Sequence, residues 1–134
     1  MARARLQLTS PDAPRPPTPA ILLRAARELL ADPDRWTQGT CARNADGKTT
    51  LPWDCDAITF DLYGALVHVA YMRDPKTVHG PAFQQAAHLL RGAALALTRQ
   101  SWGRVNDRIG HVAVLAVLDQ AAAWADQQTV RGVT

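Results

Sequence analysis

Apolar residues recur at helical spacing in four stretches of this chain. In the first, Ile21, Leu22, Ala25, Ala26 and Leu29 share one stripe while Arg24, Arg27 and Glu28 lie opposite, which predicts an amphipathic helix. Thr18 suits its N-cap and Pro19 its first helical position. Asp32-Pro33 ends it, because a residue before proline is pushed out of helical conformation. The second stretch sets Ile58, Leu62, Ala65, Leu66, Val69 and Met72 on one face, with Phe60, Tyr63, Val67 and Tyr71 on others. A helix apolar nearly all round is a central, buried one. The pattern predicts it over Ala57–Arg73, capped by Asp54 or Asp56. Gly64 inside it costs roughly 1 kcal/mol against alanine, so close approach of another backbone is expected there. The third helix opens at Pro81 and buries Phe83, Ala86, Ala87, Leu90, Ala94 and Leu97. The fourth is predicted from about Asp107 to Asp126, with Asn106 or Asp107 as its cap.

A long polar connection, "DPDRWTQGTCARNADGKTTLPWDC" (Asp32–Cys55), joins the first two helices. Asp46-Gly47 is a turn signal within it, and Thr40–Ala42 and Lys48–Leu51 flank that turn as a short hairpin. Trp36 and Trp53 bracket the connection and read as anchors that pin it to the core. Residues 1–19 form a flexible tail: "SPDAPRPPTP" holds five prolines in ten positions and cannot be helix or interior strand. The expected architecture is all-α, about four helices packed around a buried central helix with one hairpin-like loop. The helical domain covers residues 20–127, and residues 128–134 fray.

Composition narrows the class. The chain of 134 residues, 47% hydrophobic and 20% charged, suits one domain with one core. No apolar run is long enough to cross a bilayer, and the N-terminus carries no signal-peptide core, so a cytoplasmic protein without a membrane partner is expected. Cys41 and Cys55 read as free thiols in that compartment. No Cys-x-x-Cys pair or Cys/His cluster suggests a metal, and nothing suggests a cofactor. The net charge of +3 rests almost wholly on arginine, since Lys48 and Lys76 are the only lysines. The arginines are scattered and no aromatic residues interleave with them, which fits a solvated surface better than a nucleic-acid face.

The chemistry concentrates in "GRVNDRIGH" (Gly103–His111). Asp107 and His111 stand four apart, in contact range on one helical face shared with Leu115, Leu118 and Ala122. His111 therefore points toward the core and needs a partner, either Asp107 or a loop carbonyl. Asp61, at the edge of the central helix's apolar face, is a third polar group, with His68 seven residues on; its candidate partners are Asn106, His111, His68 or an arginine. If Asp61 met His111, the cluster would either tie two helices together or act as a base oriented by carboxylates. The catalytic candidates are thus His111, Asp107, Asp61 and Asn106.

Three collinear blocks, "RWTQGTCARNADG" (Arg35–Gly47), "FDLYGAL" (Phe60–Leu66) and "VNDRIGHVAVLAVLDQAA" (Val105–Ala122), resemble a family of small bacterial and phage proteins of unknown function, often carried on mobile elements. Trp36, Gln38, Gly39, Arg43 and Gly47 match its first block, Gly64, Ala65 and Leu66 its second, and Asn106, Asp107 and His111 its third. Asp61 stands where the family pattern has Cys, and Val105 where it has Trp. The replacement of Cys by Asp61 removes any thiol nucleophile at that position. The resemblance implies a phage or mobile-element setting and no particular activity, substrate or cofactor. The leading expectation is a small non-enzymatic interaction module that binds a host protein or nucleoprotein machine. Its rivals are a small enzyme with His111 as general base, helped by Asp107 and by Asp61 or Asn106, and a direct nucleic-acid binder using the tail with Arg24 and Arg27.

Overall fold

A computed structural model describes residues 16–130. Most of the predicted tail and the last four residues of the predicted frayed end lie outside the described residues. The fold is mostly α, with one two-stranded sheet. Helix α1 (Pro19–Ala31) starts where proline and threonine direct it: the Ile21 amide donates to Thr18 Oγ1 at 3.2 Å. Asp32 ends it in extended backbone. Its fully buried residues are Leu22, Leu23, Ala26 and Leu30, with Ile21, Ala25 and Leu29 half-buried beside them. The buried arc is rotated from the predicted stripe because α1 packs against each of the other three long helices.

Helix α2 (Leu62–Arg73) begins later than the apolar pattern predicts. Neither Asp54 nor Asp56 caps it. Asp61 does, in extended backbone, with its carboxylate accepting from the Gly64 amide. The preceding Thr59-Phe60 is β-branched and aromatic and takes strand conformation instead, with Ile58 in the loop just before it. Strand β1 (Ala42–Arg43) pairs antiparallel with β2 (Thr59–Phe60), Ala42 opposite Phe60 and Arg43 opposite Thr59. The Asp46-Gly47 turn forms, with Gly47 at φ +77°. The predicted partner segment Lys48–Leu51, however, makes only a single bridge, between Arg43 and Thr49. Phe60 is buried and Ile58 is 45% exposed, so the face assigned to a helix there splits between a core strand and a surface loop. Met72, expected inside, is 66% exposed.

Helix α3 (Pro81–Thr98) opens on proline as expected, and buries Phe83, Ala86, Ala87, Leu89, Leu90, Ala93 and Ala94. Leu97 is exposed at its end. A helical turn at Trp102–Arg104 then runs into a π-turn, Val105–Ile109, and Gly110 at φ +123° breaks the path. Helix α4 (His111–Val130) starts beyond that break. Asn106 and Asp107 are therefore not its cap; they belong to the π-turn before it. Helix α4 lies antiparallel to α1, with Arg24 paired to Asp126 and Arg27 to Asp119, and against α3, where Gln85 meets Gln128. Among the described residues no helix is long and apolar enough to cross a membrane.

Gly64 shows the expected close approach. A Cβ there would lie 2.0 Å from the Cys41 carbonyl oxygen and 2.8 Å from its carbon. Backbone cannot yield as a flexible side chain can. Gly64→Ala is expected to destabilise the fold by about 3 kcal/mol or more, against ~1 kcal/mol for loss of a helix cap in Thr18→Ala. Paired urea titrations check this; equal midpoints for the two variants would disprove the close approach.

Candidate functional site

The site is built from the π-turn inward. Asn106 is 1% exposed and its amide has two donors and one carbonyl with two lone pairs. All four are used. Oδ1 accepts from Trp36 Nε1 at 2.7 Å and from the Leu62 amide at 3.0 Å. Nδ2 donates to the Thr37 carbonyl and to Asp107 Oδ1, each at 3.0 Å. The Leu62 amide is the first of α2, one of the donors a helix leaves without an internal partner. Asn106 and Asp61 thus share the capping of α2.

The loop that reaches this turn is held by its own polar residues. Gln38 Nε2 donates to the carbonyls of Asn106 and Asp107 at 3.0 and 3.2 Å. Gly39, at φ +82°, turns its amide onto Asp107 Oδ1 at 2.9 Å. Arg43 faces back into the loop, donating to Thr37 Oγ1, the Gly47 carbonyl and the Gln38 carbonyl at 2.9–3.1 Å. Trp36 is half-buried against the core, whereas Trp53 is 41% exposed and lies over Tyr71, ring centroids 6.1 Å apart.

His111 does not meet Asp107. Its Nε2–H donates to the Leu30 carbonyl at 2.6 Å, and its ring lies against Trp36 with centroids 5.3 Å apart. The Leu30 carbonyl belongs to the last turn of α1, where carbonyls lack helical partners and a histidine donor is favourable. The expected i,i+4 contact fails because Gly110 breaks the helix between the two residues. His68 is not Asp61's partner either: its Nδ1–H donates to the Pro52 carbonyl at 2.8 Å, and its ring packs on Phe60. The structure brings Asn106 and Asp107 together and sets Asp61 near Asp107, but leaves His111 on the other side of Trp36, serving α1.

Asp61 is the one candidate whose chemistry is unsettled by its surroundings. Burial pushes its carboxyl up to about 6; the amides of Gly64 and Tyr63 pull it down and the Asp107 charge adds to the rise. No basic side chain pairs with it among the described residues. Beside it a pocket of about 210 Å³ is lined by Asp61, Leu62, Tyr63, Trp102, Gly103 and Asn106. Burial and the nearby Asp61 charge raise the Cys41 thiol, which keeps it protonated and weakly nucleophilic. Cys41 and Cys55 are both free. A larger open depression of about 440 Å³ between α1 and α4 holds Arg24, Arg27, Asp119 and Asp126, whose charges are already paired with one another. No group of three metal-ligating side chains occurs among the described residues.

Tyr63 and Trp102, which wall the pocket, were not singled out by the sequence. Their rings meet edge to face at 5.0 Å, and Arg91 lies over Trp102 at 4.8 Å. Helical phase gave no sign that Trp102 would return to the start of α2. A signal for Asp61 was present: a cap residue directly before "LYGAL", preceded by a strand-like triplet.

The model of a family of unknown function, DUF6197, matches residues 14–123. No curated protein matches the chain. No solved structure matches it either.

Two variants test the site. Asn106→Ala strands the Trp36 indole, the Leu62 amide and the Thr37 carbonyl, each costing on the order of 1–3 kcal/mol if left buried without a partner. The variant is expected to lose the native near-UV signal or to unfold at much lower urea, whereas a small shift would mean that water replaces the amide freely. Asp61→Asn keeps a good N-cap and removes the charge. A carboxyl raised in the fold binds its proton more tightly there than when unfolded. Its contribution is therefore fully present below about pH 4 and is lost as pH rises through about 6. Asp61→Asn should thus gain stability over wild type at pH 8, by up to about 3 kcal/mol, and little at pH 4. Thermal melts across that range read the difference, and a gain independent of pH would remove the account.

Proposed function

The chain belongs to DUF6197, whose function is unknown, and from that premise we propose that it is a small non-enzymatic interaction module acting in the cytoplasm on a host protein or nucleoprotein machine, in a phage or mobile-element setting. One observation carries the reading. Of the residues with most catalytic promise, Asn106 spends all four of its hydrogen-bonding positions within the fold, Asp107 Oδ1 is taken by the Gly39 amide and by Asn106, and His111 bonds the Leu30 carbonyl rather than Asp107 or Asp61. A histidine base oriented by a carboxylate needs that carboxylate on its ring N–H, and the His111 Nε2–H goes to the Leu30 carbonyl instead.

The surface supports a protein partner. Leu51, Trp53 and Ile58 on the loop before β2, and Met72 at the end of α2, are 41–66% exposed. Trp53 stacks toward Tyr71, which ties the loop to that helix end. Exposed apolar groups gathered in one region favour a binding surface. The nucleic-acid reading has less support, because Arg24 and Arg27 are ion-paired with Asp126 and Asp119.

The test is affinity capture from host lysate with the wild-type chain and with a Trp53→Asp/Met72→Asp double variant. A defined protein retained by wild type and lost by the variant, at equal melting temperature, is expected. Identical retention by both, or none at any salt concentration, counts against the proposal.

A further inference from the structure

We propose that the pocket beside Asp61 is a binding site for a primary alkylammonium group, carried either by a free amine or by a lysine side chain of a partner. The pocket is lined by one carboxylate residue, two aromatic residues and the apolar Leu62, with Gly103 and Asn106. Asp61 has no basic partner among the described residues, and its charged neighbour Asp107 is also negative. Two carboxylates in one region leave a negative potential that an entering cation relieves. Tyr63 and Trp102 line the same pocket and supply apolar ring surface for the alkyl stem. Trp102 already holds the Arg91 guanidinium against its ring, 4.8 Å from the centroid, and Arg91 does not line the pocket.

Size and donor inventory select the ligand class. About 210 Å³ falls below the roughly 300–1,000 Å³ of sites for drug-sized molecules, so a short arm fits and a large ring system does not. A calcium ion would want six or more oxygen ligands. Here Asn106 Oδ1 is already occupied by two donors, so an ammonium with an apolar stem is the better match. A neutral asparagine would cap α2 equally well, so the cap does not require the Asp61 charge. The inference stands apart from the apolar surface of the preceding section, and failure of one leaves the other intact.

The experiment titrates the isotope-labelled full chain at pH 7.5 with n-butylammonium, following the Trp102 indole N–H, assigned by its loss in Trp102→Phe. Saturable shifts are expected with n-butylammonium and not with n-butanol. Asp61→Asn should weaken binding at least tenfold while keeping the fold. At Gly103, an added Cβ meets nothing within 4 Å, so Gly103→Leu can fill the pocket mouth without backbone strain and should abolish the shifts. Nα-acetyl-lysine amide serves as the second arm: tighter binding than n-butylammonium points to a partner's lysine, weaker binding to a free amine. Equal shifts with n-butanol, an unchanged affinity in Asp61→Asn, or no saturation by about 100 mM, past the millimolar range expected for a single small group, would overturn the proposal.

Discussion

The side chain of Asn106 is the constraint on which the rest of the structure depends. It joins three stretches of chain that are far apart in sequence: the loop at Trp36 and Thr37, the first amide of α2 at Leu62, and its own π-turn. Each of these would otherwise bury a polar group without a partner. An amide that fills all four of its hydrogen-bonding positions in a dry environment gains from mutual polarisation and loses heavily if any one partner moves. The arrangement is therefore close to all-or-none. It also explains why the chain tolerates a π-turn, a rare local geometry, because the turn aims Asn106 inward while Gly110 lets α4 restart in a different direction.

The long connection between α1 and α2 becomes ordered through the same logic. Loops of this length inside a domain are uncommon unless they have their own internal ties. Arg43 supplies three, Gln38 two, and Gly39 offers its amide to Asp107 from a left-handed conformation. The loop then closes onto α2 at Cys41, whose carbonyl occupies the space that a side chain at Gly64 would need. Trp36, Gln38, Gly39, Arg43, Gly64, Asn106, Asp107 and His111, which carry the resemblance among the three sequence blocks, thus share one structural task. They fasten a loop and two helix ends together.

This explains what could be read in advance. The starts of α1 and α3 and the need for close packing at Gly64 follow from local rules: threonine and proline at helix starts, and the cost of glycine within a helix. The start of α2 was misplaced because an apolar run continues through Ile58 and Phe60, and helical phase alone cannot separate a short strand from a helix extension. The start of α4 was misplaced because Asn106 and Asp107 resemble a cap, and only the distant Trp36, Thr37 and Leu62 reveal that the first of them is needed elsewhere. The four candidate residues were visible as residue types. Their partners were not, since Leu30 and His111 are separated by 81 positions and nothing local links them.

Asp61 differs from the others in kind. Asn106, Asp107 and His111 lower the free energy of the fold where they stand, through bonds to backbone groups and to each other. Asp61 does two things that pull apart. Its side chain caps α2, a task for which the charge is unnecessary, and its charge sits beside a second carboxylate in a half-buried position that raises its proton affinity. A structural carboxylate of this type normally has an arginine or lysine against it. In this chain the nearby guanidinium, Arg91, lies over Trp102 instead. A fold that gives Asn106 a full set of partners, yet leaves the Asp61 charge without a basic partner beside a pocket lined by Tyr63 and Trp102, concentrates its unspent electrostatic energy in one place. That place, rather than the more conspicuous histidine, is where a ligand has the most to gain.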